Sequence, residues 1–300
     1  MSTIAFIGLG IMGAPMAGHL VEAGHTVIGV NRSPEAVQRL VDAGGRGADT
    51  VAEAVRDADV VITMVPDSPD VEGIALGDEG IYANARRGAM HIDMSSIRPD
   101  VSVALAEAGR QAGIRVMDAP VSGGEAGAVE AKLSIMVGAE QSDFDEVSPI
   151  LEAVGSTVVL VGPAGSGQTV KAANQLVVAG TIELVAEALV FLRAYGVDTE
   201  AAVAVLAGGL AGNRILDRKA ASMLAGQFQP GFRIDLHHKD MGIVTAAARE
   251  KGVAIPLGAL TAQLVGAARA QGDGDLDHSA LLRGVERLSG SNVSGKDTDR

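Results

Sequence analysis

A glycine-rich segment near the start of the chain has the spacing of a dinucleotide-binding turn. Gly8, Gly10 and Gly13 follow an apolar run at residues 3–7 and precede a helical pattern. In such a turn the first glycine permits the tight bend, the second lets a pyrophosphate approach the backbone, and the third lets helix and strand pack closely. The helix N-terminus adds N–H groups and a partial positive charge for the phosphates. The alternative is a glycine-rich turn that binds nothing. We expect the cofactor to contact every residue of the turn: Gly8, Leu9, Gly10, Ile11, Met12 and Gly13.

The residues that follow the second strand candidate bear on the choice between NAD and NADP. An NAD site commonly has Asp or Glu at this point, which accepts hydrogen bonds from the ribose hydroxyls. Here the chain has Asn31, Arg32 and Ser33, with no carboxylate among them to repel a 2′-phosphate. Arg32 can pair with that phosphate while its neighbours add hydrogen bonds. The pattern favours NADP(H) and is compatible with dual use of NAD(H), unless Arg32 is only a solvated loop residue.

Lys171 is the candidate acid of the chain. It lies about one turn into a long predicted helix, among apolar neighbours, and Asn174 and Gln175 follow at i+3 and i+4 on the same face. A lysine beside amides can hold a carbonyl substrate and deliver a proton to its oxygen. From chemistry alone, a lysine that snorkels or pairs with a carboxylate at a domain boundary is an equal alternative.

A second glycine-containing loop follows the fifth strand candidate. Ser122, Gly123 and Gly124 can present consecutive N–H groups, which would suit a substrate carboxylate. This loop lies at the sheet edge where open α/β folds bind ligands. The alternative is an ordinary turn.

The elements that must position these residues alternate in the first half of the chain. Apolar, β-branched runs predict strands at residues 3–7, 26–30, 60–65, 89–93, 115–118, 133–137 and 157–161. Helical patterns lie between them, among them 12–23, 34–43, 51–56 and 99–112. Nearly continuous apolar strands are typical of a parallel sheet that is buried on both faces. The alternation predicts a Rossmann-type, doubly wound α/β domain.

After about residue 163 the period becomes helical throughout. A segment at 167–195 is apolar nearly all round, which predicts a buried helix. Further helices are expected at 199–207, 214–225, 239–251, 255–270 and 279–288. We therefore predict a dinucleotide-binding domain at 1–162, an all-α substrate and oligomerisation domain at 163–288, and a disordered tail at 289–300.

Composition excludes several classes of partner and site. The net charge of −13 argues against nucleic acid and anionic membranes as partners. The chain has no cysteine, which removes disulfides and thiolate metal sites. His237 and His238 are adjacent, so they do not share a helix face, and no metal is expected. The start of the chain lacks the basic residues of a signal peptide, and we expect a cytoplasmic protein.

Several motifs occur together in a characteristic order. They are residues 6–16 around the first glycines, 64–69 (MVPDSP), 93–96 (DMSS), 118–124 (DAPVSGG), Gly167 with Lys171, Asn174 and Gln175, 230–232 with 236–240, and 276–281 (LDHSAL). In this order the chain resembles the β-hydroxyacid dehydrogenase family over residues 3–288, and segment 276–281 resembles the branch that acts on tartronate semialdehyde. The family commonly has Asn where this chain has His19.

The resemblance implies roles for individual residues. Lys171 matches the catalytic lysine, and Ser122, Gly123 and Gly124 match the loop that binds the substrate carboxylate. Further substrate contacts are implied for Asn174, Phe232, Lys239 and Asp240. Further cofactor contacts are implied for Met64, Val65, Pro66, Ser96 and Lys239.

The expected activity is hydride transfer between NADP(H) and a small 3-hydroxyacid or semialdehyde, with tartronate semialdehyde reduced to D-glycerate. Related substrates such as 3-hydroxyisobutyrate or succinic semialdehyde remain alternatives, as does a non-catalytic module that binds NADPH. The resemblance also implies a homodimer or homotetramer formed through the helical domain.

Overall fold

The computed structural model describes residues 1–290 and divides into two units, residues 1–171 and residues from 172 onward. The division lies inside one long helix, whereas the sequence places the domain boundary between residues 162 and 163, where the last strand ends. The predicted domain limits therefore stay a prediction. Ser289, the first residue of the predicted tail, is the last residue of the final helix. The rest of that predicted tail, residues 291–300, lies outside the described part of the chain.

One nine-stranded sheet forms the centre of the first unit. Its strands are β1 Thr3–Ile7, β2 Thr26–Val30, β3 Arg46–Gly47, β4 Val60–Thr63, β5 Met90–Asp93, β6 Arg115–Asp118, β7 Val121–Ser122, β8 Leu133–Gly138 and β9 Gly155–Gly162. Their order is β3-β2-β1-β4-β5-β6-β8-β7, and β9 pairs with β8. The first six strands are all parallel, which confirms the predicted Rossmann-type sheet.

The far side of the sheet differs from the prediction. Strand β8 runs antiparallel to β6 and β7, and the two-residue strands β3 and β7 were not expected. Such short strands contain too few residues to show a period in the sequence, and their pairing comes from longer neighbours. The strands at the centre of the sheet, β1, β4 and β5, are almost wholly buried, as their apolar runs predict.

Helices cover both faces of this sheet. They are α1 Gly13–Glu22, α2 Pro34–Asp42, α3 Val51–Val55, α4 Ser68–Leu76, α5 Ile81–Asn84, α6 Pro99–Ala112, α7 Gly124–Val129 and α8 Gln141–Glu152. Local chemistry marks several ends, since Asp67 and Asp70 form a capping box at α4 and Gly113 ends α6 in the left-handed region. His19 on α1 makes a structural contact, because its ring Nε2 lies 3.0 Å from the Val129 carbonyl oxygen.

The second unit is helical, as predicted. It contains most of α9 Ser166–Ala194, then α10 Thr199–Gly208, α11 Arg214–Leu224, α12 Ile234–Glu250, α13 Pro256–Ala268 and α14 Leu281–Ser289. Helix α12 begins five positions before the predicted start at residue 239, and the chain kinks after α13 at Gly272, which has a φ of +89°. An apolar cluster that includes Ile182, Leu189 and Met223 forms the core.

Helix α9 is apolar on two faces, only one of which is buried. Val177, Leu184 and Phe191 recur every seven residues and are 66%, 64% and 61% exposed. The expectation of a helix buried all round is therefore wrong for this face. Among the described helices α9 is long and apolar enough to cross a membrane, with a mean hydropathy of 1.8 and 44% of its most apolar window buried.

A buried carboxyl on α9 makes the stability of the protein depend on pH. Glu183 is 7% exposed, and within residues 1–290 its Oε2 has no hydrogen-bond partner. Burial, together with the nearby Glu187, raises the pKa of Glu183 from 4.5 to about 7. Between these values the unfolded chain has lost a proton that the folded chain retains, so stability falls as pH rises from about 4.5 to about 7.

We expect Glu183→Gln to stabilise the protein above pH 7, because the amide avoids burying a charge. The expected gain in the free energy of unfolding is about 3 kcal/mol at pH 8, falling towards zero near pH 4.5. Urea denaturation of both proteins across this range measures it. The control is Glu187→Gln on the exposed side, which removes only a repulsion and should give a smaller gain. Parallel pH profiles for Glu183→Gln and the unaltered protein would contradict the prediction.

Candidate functional site

The turn between β1 and α1 is shaped by close backbone contacts. Gly8 has a φ of +103°, and a Cβ atom there would overlap the Met64 carbonyl. A Cβ atom on Gly13 would overlap the carbonyl oxygen of Gly8. Gly10 differs, because a Cβ atom there would meet no heavy atom within 4 Å. Two glycines are thus required by the fold of the turn itself, and the third leaves open space beside the backbone.

The turn is tied to the end of β2. The Gly8 N–H donates to the Val30 carbonyl oxygen at 2.9 Å, and the Leu9 N–H donates to Asn31 Oδ1 at 3.1 Å. Asn31 therefore holds the turn in place, a role that the sequence did not reveal. The Leu9 side chain is buried in the core of the unit.

A surface cavity of about 370 Å³ lies beside this turn, with Gly10, Asn31, Ser33 and Arg39 among its lining residues. Open space at Gly10, a helix N-terminus and a cationic side chain fit the pyrophosphate and ribose of a dinucleotide. Arg32 is exposed in the loop after β2.

A carboxylate does lie close to the end of β2, contrary to what residues 31–33 suggest. The Ser33 hydroxyl donates to Glu35 Oε2 at 2.5 Å, and this bond is the main cause that lowers the pKa of Glu35. Arg39, one turn further along α2, lowers the same pKa by its charge. The sequence missed both side chains because neither immediately follows the strand.

The loops after β4 and β5 meet at the same edge of the sheet. The Met64 N–H donates to the Ile7 carbonyl oxygen at 2.9 Å, and the Val65 N–H donates to Ser95 Oγ at 3.0 Å. Pro66 is exposed and Ser96 is half-buried. The predicted cofactor residues of the first unit therefore follow the carboxyl ends of adjacent parallel strands, the edge where such sheets bind ligands.

Lys171 is 8% exposed and reaches the loop after β6. Its Nζ donates to the Val121 carbonyl oxygen at 2.7 Å, next to Ser122. Gly123 and Gly124 follow with φ values of +138° and +63°. The structure thus brings the candidate acid to the loop that was expected to bind a carboxylate. Helix α7 begins at Gly124, where the sequence suggested only a turn.

In the second unit the predicted substrate residues form a polar chain. Asn174 Nδ2 donates to Gln175 Oε1 at 2.8 Å, and Gln175 Nε2 donates to Asp240 Oδ2 at 2.5 Å. Lys239 Nζ forms an ion pair with Asp240 Oδ1 at 2.9 Å. Gln175 is buried and connects the two helices α9 and α12.

Phe232 belongs to an aromatic cluster beside these polar residues. Its ring lies 5.6 Å from His237 and 5.4 Å from His278, centroid to centroid. The two histidines contact each other at 3.1 Å between their Nδ1 atoms. The Phe232 N–H donates to the buried carboxylate of Asp277 at 3.1 Å. Among the described residues, no group of three or more His, Asp or Glu side chains could hold a metal ion.

Two family models match the chain. Residues 3–162 match the NAD binding domain of 6-phosphogluconate dehydrogenase, and residues 165–285 match the NAD-binding domain of NADP-dependent 3-hydroxyisobutyrate dehydrogenase. The chain is also 40% identical to 2-hydroxy-3-oxopropionate reductase of Escherichia coli strain K12 over 286 residues, which cover 95% of this chain and 98% of that protein. The chain belongs to the β-hydroxyacid dehydrogenase family.

Other members of the β-hydroxyacid dehydrogenase family are similar over the same length. The chain is 36% identical to 3-sulfolactaldehyde reductase of Escherichia coli strain K12, covering 99% of this chain and all of that protein. A structure of Mycobacterium tuberculosis 3-hydroxyisobutyrate dehydrogenase with L-serine superposes with a TM-score of 0.86 at 34% identity, over 95% of this chain and 99% of that one. The family and its nicotinamide-dinucleotide-binding domain are thus confirmed.

Proposed function

We propose that this protein reduces a small carboxylated aldehyde with a nicotinamide cofactor, and that its substrate is tartronate semialdehyde, which becomes D-glycerate. The observation on which the proposal depends most is the contact of Lys171 Nζ with the Val121 carbonyl oxygen at 2.7 Å. This contact supports a lysine at the sheet edge next to the Ser122–Gly124 loop. The 40% identity to 2-hydroxy-3-oxopropionate reductase supports the choice of substrate.

Residues of this chain hold the cofactor, orient the substrate and donate the proton. Gly8, Gly10 and Gly13 with the N-terminus of α1 bind the pyrophosphate, and the bound nicotinamide supplies the hydride. Ser122, Gly123 and Gly124 orient the substrate carboxylate. Lys171, as an ammonium, donates a proton to the aldehyde oxygen as negative charge develops there. The reduction adds the hydride to the aldehyde carbon and the proton to its oxygen, which gives a primary alcohol.

The remaining proposed contacts follow from the resemblance. Asn174, Phe232, Lys239 and Asp240 contact substrate, and Lys239 also contacts the cofactor. Leu9, Ile11, Met12, Met64, Val65, Pro66 and Ser96 complete the cofactor site.

A steady-state assay of nicotinamide absorbance tests the function directly. Purified protein is mixed with NADPH or NADH and with tartronate semialdehyde, 3-sulfolactaldehyde, succinic semialdehyde or the aldehyde of 3-hydroxyisobutyrate. We expect the highest kcat/KM with tartronate semialdehyde. A higher value with another aldehyde would contradict the substrate, and NADPH binding without any turnover would favour a non-catalytic module.

We propose that NADP(H) is preferred, with Arg32 as the partner of the 2′-phosphate. Arg32→Ala should weaken NADPH binding by about 10- to 100-fold and leave NADH binding unchanged, because only NADPH loses a charge-assisted hydrogen bond. Titration of cofactor fluorescence gives both dissociation constants. Arg39→Ala is measured alongside, since Arg39 lines the cavity.

Arg46→Ala is the control, because Arg46 is exposed on β3 and pairs with Ile28, within β2, and not with the residues that follow β2. Equal loss of NADPH and NADH binding in Arg32→Ala would argue against the 2′-phosphate role. Loss confined to Arg39→Ala would assign that role to Arg39.

We also propose a cytoplasmic homo-oligomer, a dimer or tetramer, that associates through the helical unit. The exposed row Val177, Leu184 and Phe191 supports this, because contiguous exposed apolar surface marks an interface. The absence of cysteine suits a reducing compartment. Light scattering measures the mass of the particle in solution and so tests this assembly.

A further inference from the structure

The first turn of α9 is fixed by a carboxylate from the end of β6. Asp118 Oδ1 accepts the Gly165 N–H at 2.6 Å, and its Oδ2 accepts the Gln168 N–H at 2.8 Å. These donors belong to the N-terminal end of the helix, where a negative charge is stabilised. A Cβ atom on Gly167 would come within 2.8 Å of Asp118 Oδ2, so the helix start and this carboxylate are in close contact.

The side chain of Gln168 joins the same turn to the loop after β5. It is 1% exposed. Its Nε2 donates to the Ser95 carbonyl oxygen at 2.8 Å, and its Oε1 accepts the Ile97 N–H at 3.1 Å. The two bonds have opposite polarity and flank Ser96 on both sides. Both the oxygen and the nitrogen of the Gln168 amide therefore bond to backbone groups of residues 95–97.

We propose that Gln168 is a positioning residue that holds the segment of Ser96 in register with Lys171. Lys171 follows Gln168 by three residues on α9, so one helical turn contains both the candidate acid and the clamp on the loop. The inference rests on the proposed function for its catalytic consequence. Its structural part, the two hydrogen bonds between the Gln168 side chain and the Ser95–Ile97 backbone, is independent of the proposed function.

Only a neutral group with one donor and one acceptor can make both bonds. Methionine fills a similar volume and makes neither, which leaves a buried N–H and a buried C=O unsatisfied. Glutamate has the right shape, but it can donate to Ser95 only when its carboxyl is protonated. Thr169 is the matched neighbour, since it is exposed and its hydroxyl donates to the Gly165 carbonyl oxygen at 2.8 Å, just before the start of α9.

Hydrogen–deuterium exchange of the cofactor-free protein tests the two hydrogen bonds between Gln168 and the Ser95–Ile97 backbone. Gln168→Met should speed exchange in peptides that cover residues 95–98, because the Ile97 N–H loses its acceptor. Peptides from β1 should exchange as in the unaltered protein. Thr169→Ala should leave the 95–98 segment unchanged. Unchanged exchange at 95–98 in Gln168→Met, or faster exchange throughout the first unit, would overturn the inference.

Kinetics with 4-deuterated NADPH test the consequence. We expect Gln168→Met to lower kcat by about 10- to 100-fold with little change in KM, and to raise the deuterium isotope effect on kcat, because hydride transfer becomes slower. Gln168→Glu should recover activity as pH falls and its carboxyl becomes a donor. A lower kcat with an unchanged isotope effect would indicate a reduced active fraction and overturn the positioning role. If the unaltered protein reduces none of the aldehydes, the proposed function fails, while the exchange result still tests the two hydrogen bonds of Gln168.

Discussion

Replacing Lys171 with methionine is expected to lower kcat by about 10²–10⁴-fold, the usual contribution of a positioned acid. Methionine retains a long apolar stem, so the buried volume at the start of α9 stays filled. The Val121 carbonyl oxygen loses its donor, and a modest loss of stability should follow. NADPH affinity should stay within about twofold of the unaltered protein. Steady-state kinetics and cofactor fluorescence measure the two effects separately.

The control for this substitution is Lys132→Met. Lys132 belongs to the same unit, but it is exposed and pairs with Glu130 at 3.0 Å. Its replacement removes an equal charge without touching the loop after β6, and kcat should not change. Undiminished turnover in Lys171→Met with cofactor still bound would remove Lys171 from the proposed chemistry.

Gly10→Ala is expected to abolish most cofactor binding while leaving the fold intact. A Cβ atom at this position meets no protein atom within 4 Å, and its φ is not in the left-handed region, so the folded chain accepts the methyl group. The same methyl group occupies the space that a pyrophosphate needs beside the backbone. We expect the dissociation constant of NADPH to rise at least about tenfold, about 1.4 kcal/mol. Fluorescence titration gives the affinity, and thermal denaturation checks the fold.

Two other glycines distinguish this effect from a general effect of adding a methyl group. Gly18 on α1 also has open space at its Cβ position, so Gly18→Ala should bind NADPH normally. Gly13→Ala should lose stability, because its methyl group overlaps the Gly8 carbonyl oxygen. If Gly10→Ala bound NADPH as tightly as Gly18→Ala, the turn would not be the pyrophosphate site.

Periodicity predicted the elements with enough residues to show a period. Strands β1, β2 and β6 have the predicted limits, and the apolar runs of β1 and β2 end where Gly8 and Asn31 follow. Helix α7 was missed because its sequence is short and contains glycine at both its first and its fourth position. Helix α12 begins at Ile234 and not at residue 239, since its first turn is polar on one side and packs through Ile234 and His237.

The candidate site was predictable where it depends on local spacing. The glycine turn and the lysine with its following amides are such cases. Gln168 gave no signal, because its partners Ser95 and Ile97 are backbone groups about 70 residues away in the sequence. The Ser33–Glu35 bond was missed for a different reason. Only Pro34 separates the two residues in the sequence, but it is the conformation of the loop that brings the Glu35 carboxylate within 2.5 Å of the Ser33 hydroxyl.

Because Asp118 caps α9, the first unit depends on residues that are synthesised after its last strand. This carboxylate is buried, and burial raises its pKa to about 6, while its two N–H donors lie 47 and 50 residues downstream. A nascent chain that ends at residue 162 has every strand of the sheet but leaves this carboxylate without its donors. We therefore expect the first unit to gain its full stability only after residues 165–168 have left the ribosome. The first unit, residues 1–171, therefore includes the first turn of α9 as well as the last strand.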